Sequence, residues 1–284
     1  MSSGLIQLSL PRRGFITNVH GALSRDEYFA GLYIFGCANG LGGKIIQSIT
    51  AGDWTGIQNI SIVVWFACFA GISLLLRDKK DEVTASDLAI GMVFLAFAVV
   101  PASEVNWIGV TGLSLYILLG AQEGTVRRRG ALIMLALTAP MLWTRLLFAF
   151  IAKPFLIFDA SFVSWLLSTG RSGNVIQFAD GSGNLVVLPA CSSLANVSLA
   201  FLCWITVSQW LEHRWSRQDI LWCLLACGSV VAANVARIAI MSLSHWHFQT
   251  FHYGWGAMVV NAITLLLIVG FTVLGVRREL FSGV

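Results

Sequence analysis

Charge is what this sequence has least of. Of its 284 residues only 11% are Asp, Glu, Lys or Arg, less than half of the roughly 25% found in an ordinary soluble domain. Hydrophobic residues make up 57%, and the mean hydropathy is +0.78. So few ionisable groups cannot cover the surface of a water-soluble globule. That excludes a soluble enzyme, a disordered chain and a coiled coil, and leaves an all-α polytopic membrane protein. A disulfide framework is also lacking: five of the six cysteines (Cys37, Cys68, Cys191, Cys203, Cys223 and Cys227) lie in apolar runs, and the only regular spacing is a bare four-residue step at Cys223 and Cys227. No metal-ligand spacing and no cofactor motif is legible, so none is expected. Residues 1–27 lack the apolar stretch and cleavage site of a signal peptide, and this segment is expected to be retained. There is no internal repeat, low-complexity tract or linker, which predicts one membrane domain over 1–284.

What is present is a series of apolar runs. Eight transmembrane helices are expected at about 28–50, 57–76, 85–101, 105–121, 131–151, 192–211, 220–244 and 255–276. The net charge of +4 is no nucleic-acid surface, because the basic residues sit in short clusters between these runs. With eight spans, Arg12, Arg13, Arg25, Arg77, Lys79, Lys80, Arg127, Arg128, Arg129, Arg214, Arg217, Arg277 and Arg278 all fall on one side, and only Lys153 and Arg171 fall on the other. The positive-inside rule then places both termini, with the segment 1–27, in the cytoplasm.

One connection differs from the rest. Residues 152–191 separate a five-span half (28–151) from a three-span half (192–276) and are expected to form a β-rich loop on the outer face. Val175–Phe178 and Leu185–Leu188 flank the turn sequence Asp180-Gly181-Ser182-Gly183-Asn184 and read as a hairpin. The apolar stretch Pro154–Leu167, which carries Asp159, is expected to be interfacial or re-entrant.

Three candidate residues converge on that face. Cys191 ends the loop; if Ser192 or Ser193 opens the next helix, the helix N-terminus favours a thiolate. Arg237 lies inside the seventh span, where charge is costly and therefore either functional or paired with a carbonyl or with Asp159. Asn234 precedes it by three residues on the same helical face. Arg145 in span five raises the same question with nothing chemical beside it. His252 lies just before span eight, with His245 and His247 near it. A cysteine with a histidine supplies a nucleophile and its proton partner, and an arginine can hold oxyanion charge, which together suit acyl transfer.

The stretch Trp165-Leu166-Leu167-Ser168-Thr169-Gly170, the later Gly183-Asn184, Leu185 to Ala190 and Cys191-Ser192 resemble the exosortase/archaeosortase family, as do Asn234, Arg237 and Ile238 in Asn-x-x-Arg-Ile and His252 and Gly256 in His-x-x-x-Gly. The likeness covers about 160–262 well, and residues 1–150 only as a multi-span apolar half. It implies a membrane cysteine transpeptidase or thiol protease, analogous to sortase but of another fold, in the bacterial inner membrane. Its substrates would be exported proteins bearing a C-terminal motif, a transmembrane helix and a basic tail. On this resemblance Cys191, Arg237 and His252 are catalytic, with Asn234, Ser193 and Gly256 supporting. Ser193 departs from the glycine usual in the family; its Cβ and hydroxyl either narrow the acyl pocket or mark a divergent subgroup. The small residues Gly36, Gly40, Gly42 and Gly43 offer close helix approach to a substrate helix or to internal neighbours. The alternative is a non-enzymatic transporter or assembly component of envelope or exopolysaccharide export, which would tolerate Cys191→Ser.

Overall fold

Backbone polar groups inside a bilayer must be satisfied within the segment, so apolar runs of this kind fold as packed helices. The computed structural model describes residues 23–50, 60–77, 81–100, 102–214 and 216–281. The expected positions Arg12, Arg13, Lys79, Lys80 and Pro101 lie outside them. In chain order the helices are α1 (Arg25–Thr50), α2 (Ile62–Leu75), α3 (Ala85–Val99), α4 (Ser103–Gly120), α5 (Val126–Thr138), α6 (Thr144–Leu167), α7 (Ser193–Trp210), α8 (Arg217–Met241), α9 (His245–His252) and α10 (Trp255–Phe281). The strands are β1 (Arg171–Ser172), β2 (Val175–Gln177) and β3 (Asn184–Val186). Side chains fix several helix starts: Ser61 accepts from Val63 N–H, Thr125 from Arg128 N–H, Ser192 from Leu194 N–H and Ser244 from His247 N–H. Thr84 with Asp87 and Ser216 with Asp219 close reciprocal capping boxes.

The protein is an all-α membrane protein. Three helical stretches are long and apolar enough to cross a bilayer, namely 126–167, 217–241 and 255–277; α2 and α3 are apolar but shorter. The expected eight crossings are therefore not all marked by length and hydropathy. Polar side chains turned inward from α1, α4 and α7, such as Asp26, Asn106, Ser114, Thr206 and Ser208, are buried and dilute the apolar signal of those helices.

Two boundaries differ from expectation. The helix begun by α5 does not end near 151 but passes through a π-helical turn, Ala139–Trp143, into α6. Pro140 lies in that turn, and the wider π geometry accommodates its missing N–H. The whole runs 42 residues, about 63 Å if straight, twice the ~30 Å hydrocarbon thickness. It is not straight: Ile151 has φ −125° and ψ 16°, three residues before Pro154. Proline bends this helix rather than ending it. The β-rich loop expected over 152–191 is corrected accordingly. Residues 152–167 are helical, and the strands that follow hold only two, three and three residues.

Those strands form one antiparallel sheet in the order β1-β2-β3, with Ile176 opposite Leu185 and Val175 opposite Val186. Gly173 (φ +61°) and Gly181 (φ +74°) occupy turn positions in the left-handed region, which glycine enters without Cβ strain.

Ion pairs show which helix ends lie together. Arg25 pairs with Asp87 at 2.8 Å, Arg127 with Asp26 and with Asp81, and Arg129 with Glu212 at 2.7 Å. The starts of α1, α3 and α5 and the end of α7 thus share one end of the bundle. Close approach inside it needs small residues: a Cβ on Gly36 would come within 2.8 Å of Phe94, and one on Gly40 within 2.6 Å of Asn106. Gly36 and Gly40 serve internal packing, whereas Gly42 and Gly43 face open space.

The buried apolar residues form two clusters. The larger joins α1–α5 to Ala200, Leu202 and Cys203 of α7. The smaller gathers Leu156 and Ala160 of α6, Ile176 and Leu185 of the sheet, Cys191, and Val235 and Ile238 of α8. It is this second core that seats the candidate site.

Candidate active site

Pro189–Cys191 forms one turn of 3₁₀ helix leading into α7, with Ser192 as the N-cap. The sheet leads into this turn and is tied to the end of α8. Val187 N–H donates to Asn174 O at 2.9 Å, and Ala179 N–H in the tight turn donates to Ser242 O just after α8 at 2.9 Å. Cys191 is 8% exposed.

The thiol meets a histidine. Cys191 Sγ lies 3.5 Å from His252 Nε2. His252 occupies the last turn of α9, a short helix between α8 and α10. Its Nδ1 is buried and has no hydrogen-bond partner among the described residues, so no carboxylate or carbonyl orients the ring. Aromatic packing does: Phe248 stacks at 5.0 Å between centroids and Tyr253 at 4.3 Å. His245 and His247 stand apart, His245 beside Phe178 and His247 bonded to Ser244.

Arg237 lies four residues before the end of α8, about 6 Å from it. Its Nε and Nη2 both donate to Phe251 O, at 3.2 and 3.1 Å. Of the two acceptors foreseen, the carbonyl is the one used. This carbonyl immediately precedes His252, so one guanidinium fixes the backbone that carries the imidazole. Gly256 supports the same contact from behind: a Cβ there would meet Phe251 Cδ1 at 2.8 Å and Thr250 O at 3.0 Å.

The charges depart from the thiolate expected beside a helix N-terminus. Burial pushes the Cys191 thiol above its ordinary value, with the Arg237 field and a backbone hydrogen bond at Leu188 opposing. Burial, and then the positive charge of Arg237, lower His252. Both shifts favour the uncharged form, thiol and imidazole. Desolvation outweighs the helix end because the thiol is enclosed by the second core.

Every backbone N–H from Cys191 to Leu194 is engaged. Cys191 donates to Leu188 O, Ser192 to Pro189 O, Ser193 to Asp159 Oδ2 and Leu194 to Ser192 Oγ. Asn234 donates from Nδ2 to Cys191 O at 2.8 Å and to Ser193 Oγ at 3.1 Å. Asp159, foreseen only as a partner for Arg237, bonds Ser193 instead. Its position in an apolar stretch was the signal; its partner could not be read from it. Arg145 stands elsewhere, half-exposed and 3.6 Å from Glu104.

An apolar cavity of about 430 Å³ opens beside this segment between α6, α7 and α8, lined by Pro154, Phe158, Leu194 and Val231, with Asp159 and Ser193 among its polar residues.

A helical membrane protein with a buried cysteine, histidine and arginine drawn from three separate segments is equipped for cysteine-based acyl chemistry at a membrane. The profile of the transmembrane exosortases matches residues 54–270, most of the chain and all of this cluster. The chain belongs to that family, and membership carries an exosortase-type function in a membrane. No curated protein and no solved structure matches it.

Proposed function

We propose that this protein is a cysteine transpeptidase or protease that cleaves C-terminal sorting signals of exported proteins. The observation that carries the reading is the 3.5 Å contact of Cys191 Sγ with His252 Nε2, beside an arginine and within a chain of this family. His252 takes the thiol proton as Sγ attacks a backbone carbonyl next to the substrate's transmembrane helix. The tetrahedral intermediate then expels the amine, to which His252 returns the proton, leaving a thioacyl-enzyme. An amine acceptor, or water in its absence, attacks the thioester and frees the thiol.

The oxyanion falls to a side chain, since the amides around Cys191 are already bonded. Arg237 Nη1, which bonds none of the described residues, is the donor assigned to it. Asn234 and Ser193 hold the nucleophile's backbone, and Gly256 seats Phe251 under Arg237. The 430 Å³ cavity has the volume of about one helical turn and would receive apolar side chains from a substrate helix lying against Phe158 and Val231 with its scissile end toward Ser192.

In this reading α1, α2, α3, α4, α5–α6, α7, α8 and α10 each cross the bacterial inner membrane once, the shorter α2 and α3 included, with the part of α6 beyond Ile151 lying along the surface. The basic ends of α1, α3 and α5 face the cytoplasm with both termini, and the cluster faces outward. The test is a membrane assay on an exported protein carrying a short motif, an apolar helix and a basic tail. Wild type should yield a shortened product and a hydroxylamine-sensitive thioacyl adduct, and Cys191→Ala neither. Cleavage that survives Cys191→Ser would favour the transporter or assembly alternative.

A further inference from the structure

Asp159 is a carboxylate in the middle of an apolar helix and is 2% exposed. Both of its oxygens bond Ser193, Oδ2 accepting the Ser193 N–H at 3.3 Å and Oδ1 the Ser193 hydroxyl at 3.1 Å, and the adjoining Ser192 side chain also hydrogen-bonds the carboxylate. The same hydroxyl oxygen accepts from Asn234 Nδ2 at 3.1 Å, and that Nδ2 also donates to Cys191 O at 2.8 Å. Asn196 Nδ2 donates in turn to Asn234 Oδ1 at 3.5 Å. The donors run one way along this chain. The Asn234 amide nitrogen can only donate, so the single Ser193 hydroxyl proton is directed to Asp159.

The chain crosses from α6 through the start of α7 to α8 and grips the backbone on both sides of Ser192. A buried carboxylate is a poor source of stability, because apolar side chains of similar volume commonly do as well. A fully satisfied polar network does, however, fix one geometry. Cys191 sits at the end of a three-residue 3₁₀ turn with no regular structure of its own to aim it. The charged and titratable groups around it are His252 on α9, Arg237 on α8 and Asp159 on α6.

We propose that Asp159 is a positioning residue for Cys191, acting through Ser193 and Asn234 to hold the 191–193 backbone so that the thiol faces His252. Its consequence for catalysis rests on the function proposed above; the positioning itself does not. Ser193, where the family usually has glycine, is then neither a narrowing of the acyl pocket nor an incidental change. Its hydroxyl is the link that joins Asp159 to Asn234.

The test needs no peptide substrate. Cys191 alkylation by iodoacetamide is followed in membranes by mass spectrometry of the Cys191 peptide, across pH, for wild type and variants. Wild type should react roughly tenfold faster near neutral pH than His252→Ala, because the imidazole removes the thiol proton. Asp159→Ala should lose that increment, so that adding His252→Ala changes the rate less than about twofold. Asp159→Asn keeps an acceptor for Ser193 and should recover most of it. A role in folding alone would lower the amount or melting temperature of the protein and leave the His252-dependent increment intact, which overturns the proposal. Should Asp159→Ala not accumulate, Ser193→Gly and Asn234→Ala decide. A double variant no slower than the worse single supports one chain, and multiplying effects overturn it. Coupling without substrate cleavage by wild type would leave the positioning standing and remove the transpeptidase reading; cleavage without coupling would do the reverse.

Discussion

Cys191 Sγ and His252 Nε2 lie 3.5 Å apart, and their surroundings favour the uncharged form of each. Burial raises the thiol, while burial and the Arg237 charge lower the imidazole. Arg237 already supplies one positive charge to this small enclosed space, so a second on His252 is disfavoured. Under the proposed mechanism the nucleophile is made at the moment of attack, by transfer of the thiol proton to His252.

This sets the pH profile. The base must be unprotonated, so a lowered His252 moves the acid limb of kcat/KM below the ordinary histidine value of about 6.5. The thiol proton must still be present, so a raised Cys191 moves the alkaline limb above the ordinary cysteine value of about 8.5. The expected profile is a plateau widened at both ends, measured as initial cleavage rates in membranes. Limbs falling between those two values would contradict both shifts.

The proposed mechanism gives Arg237 two connected roles, and substitution separates them. Arg237→Lys keeps the charge but cannot bond Phe251 O with the planar pair Nε and Nη2. A loss of about 10²–10³ in kcat is expected for Arg237→Gln, the usual cost of an oxyanion donor, with a smaller loss for Arg237→Lys. Single-turnover acylation rates check this; a change confined to KM would argue for substrate binding alone.

Gly256→Ala forces a Cβ to 2.8 Å from Phe251 Cδ1 and 3.0 Å from Thr250 O. A destabilisation of about 1–3 kcal/mol is expected, together with reduced activity, although no reacting group is removed. Gly42→Ala is the control, since nothing lies within 4 Å of its added Cβ. Helix propensity should make that change neutral or stabilising by up to about 1 kcal/mol. Thermal unfolding in detergent distinguishes the two.

Orientation is open to direct labelling. Cysteines introduced at Asp180 in the sheet's turn and at Arg128 in α5 should react oppositely with a membrane-impermeant maleimide. Intact cells should label Asp180→Cys, and Arg128→Cys only after permeabilisation. The reverse pattern would invert the assigned topology and place the Cys191 cluster on the cytoplasmic side.

The sequence by itself determined the membrane class, the helical architecture and the candidate cluster, because these rest on local properties. Scarcity of charge, runs of apolar residues and the chemical types of Cys191, Arg237 and His252 are all legible one segment at a time. The turn residues at 180–184 likewise marked a chain reversal, since Gly181 alone meets its positive φ without strain. The sequence misread where local signals conflict. The fifth span was expected to end near 151, yet packing of Leu156 and Ala160 into the second core carries the helix on to Leu167. Only the tertiary structure decided which groups meet. Asp159 turned to Ser193 and not to Arg237, Arg237 took the Phe251 carbonyl, and aromatic rings rather than a carboxylate oriented His252. It also decided the ionisation of the pair. A helix N-terminus can be inferred from Ser192 and Ser193, but desolvation depends on what the whole fold places around the sulfur, and here that outweighs the helix end.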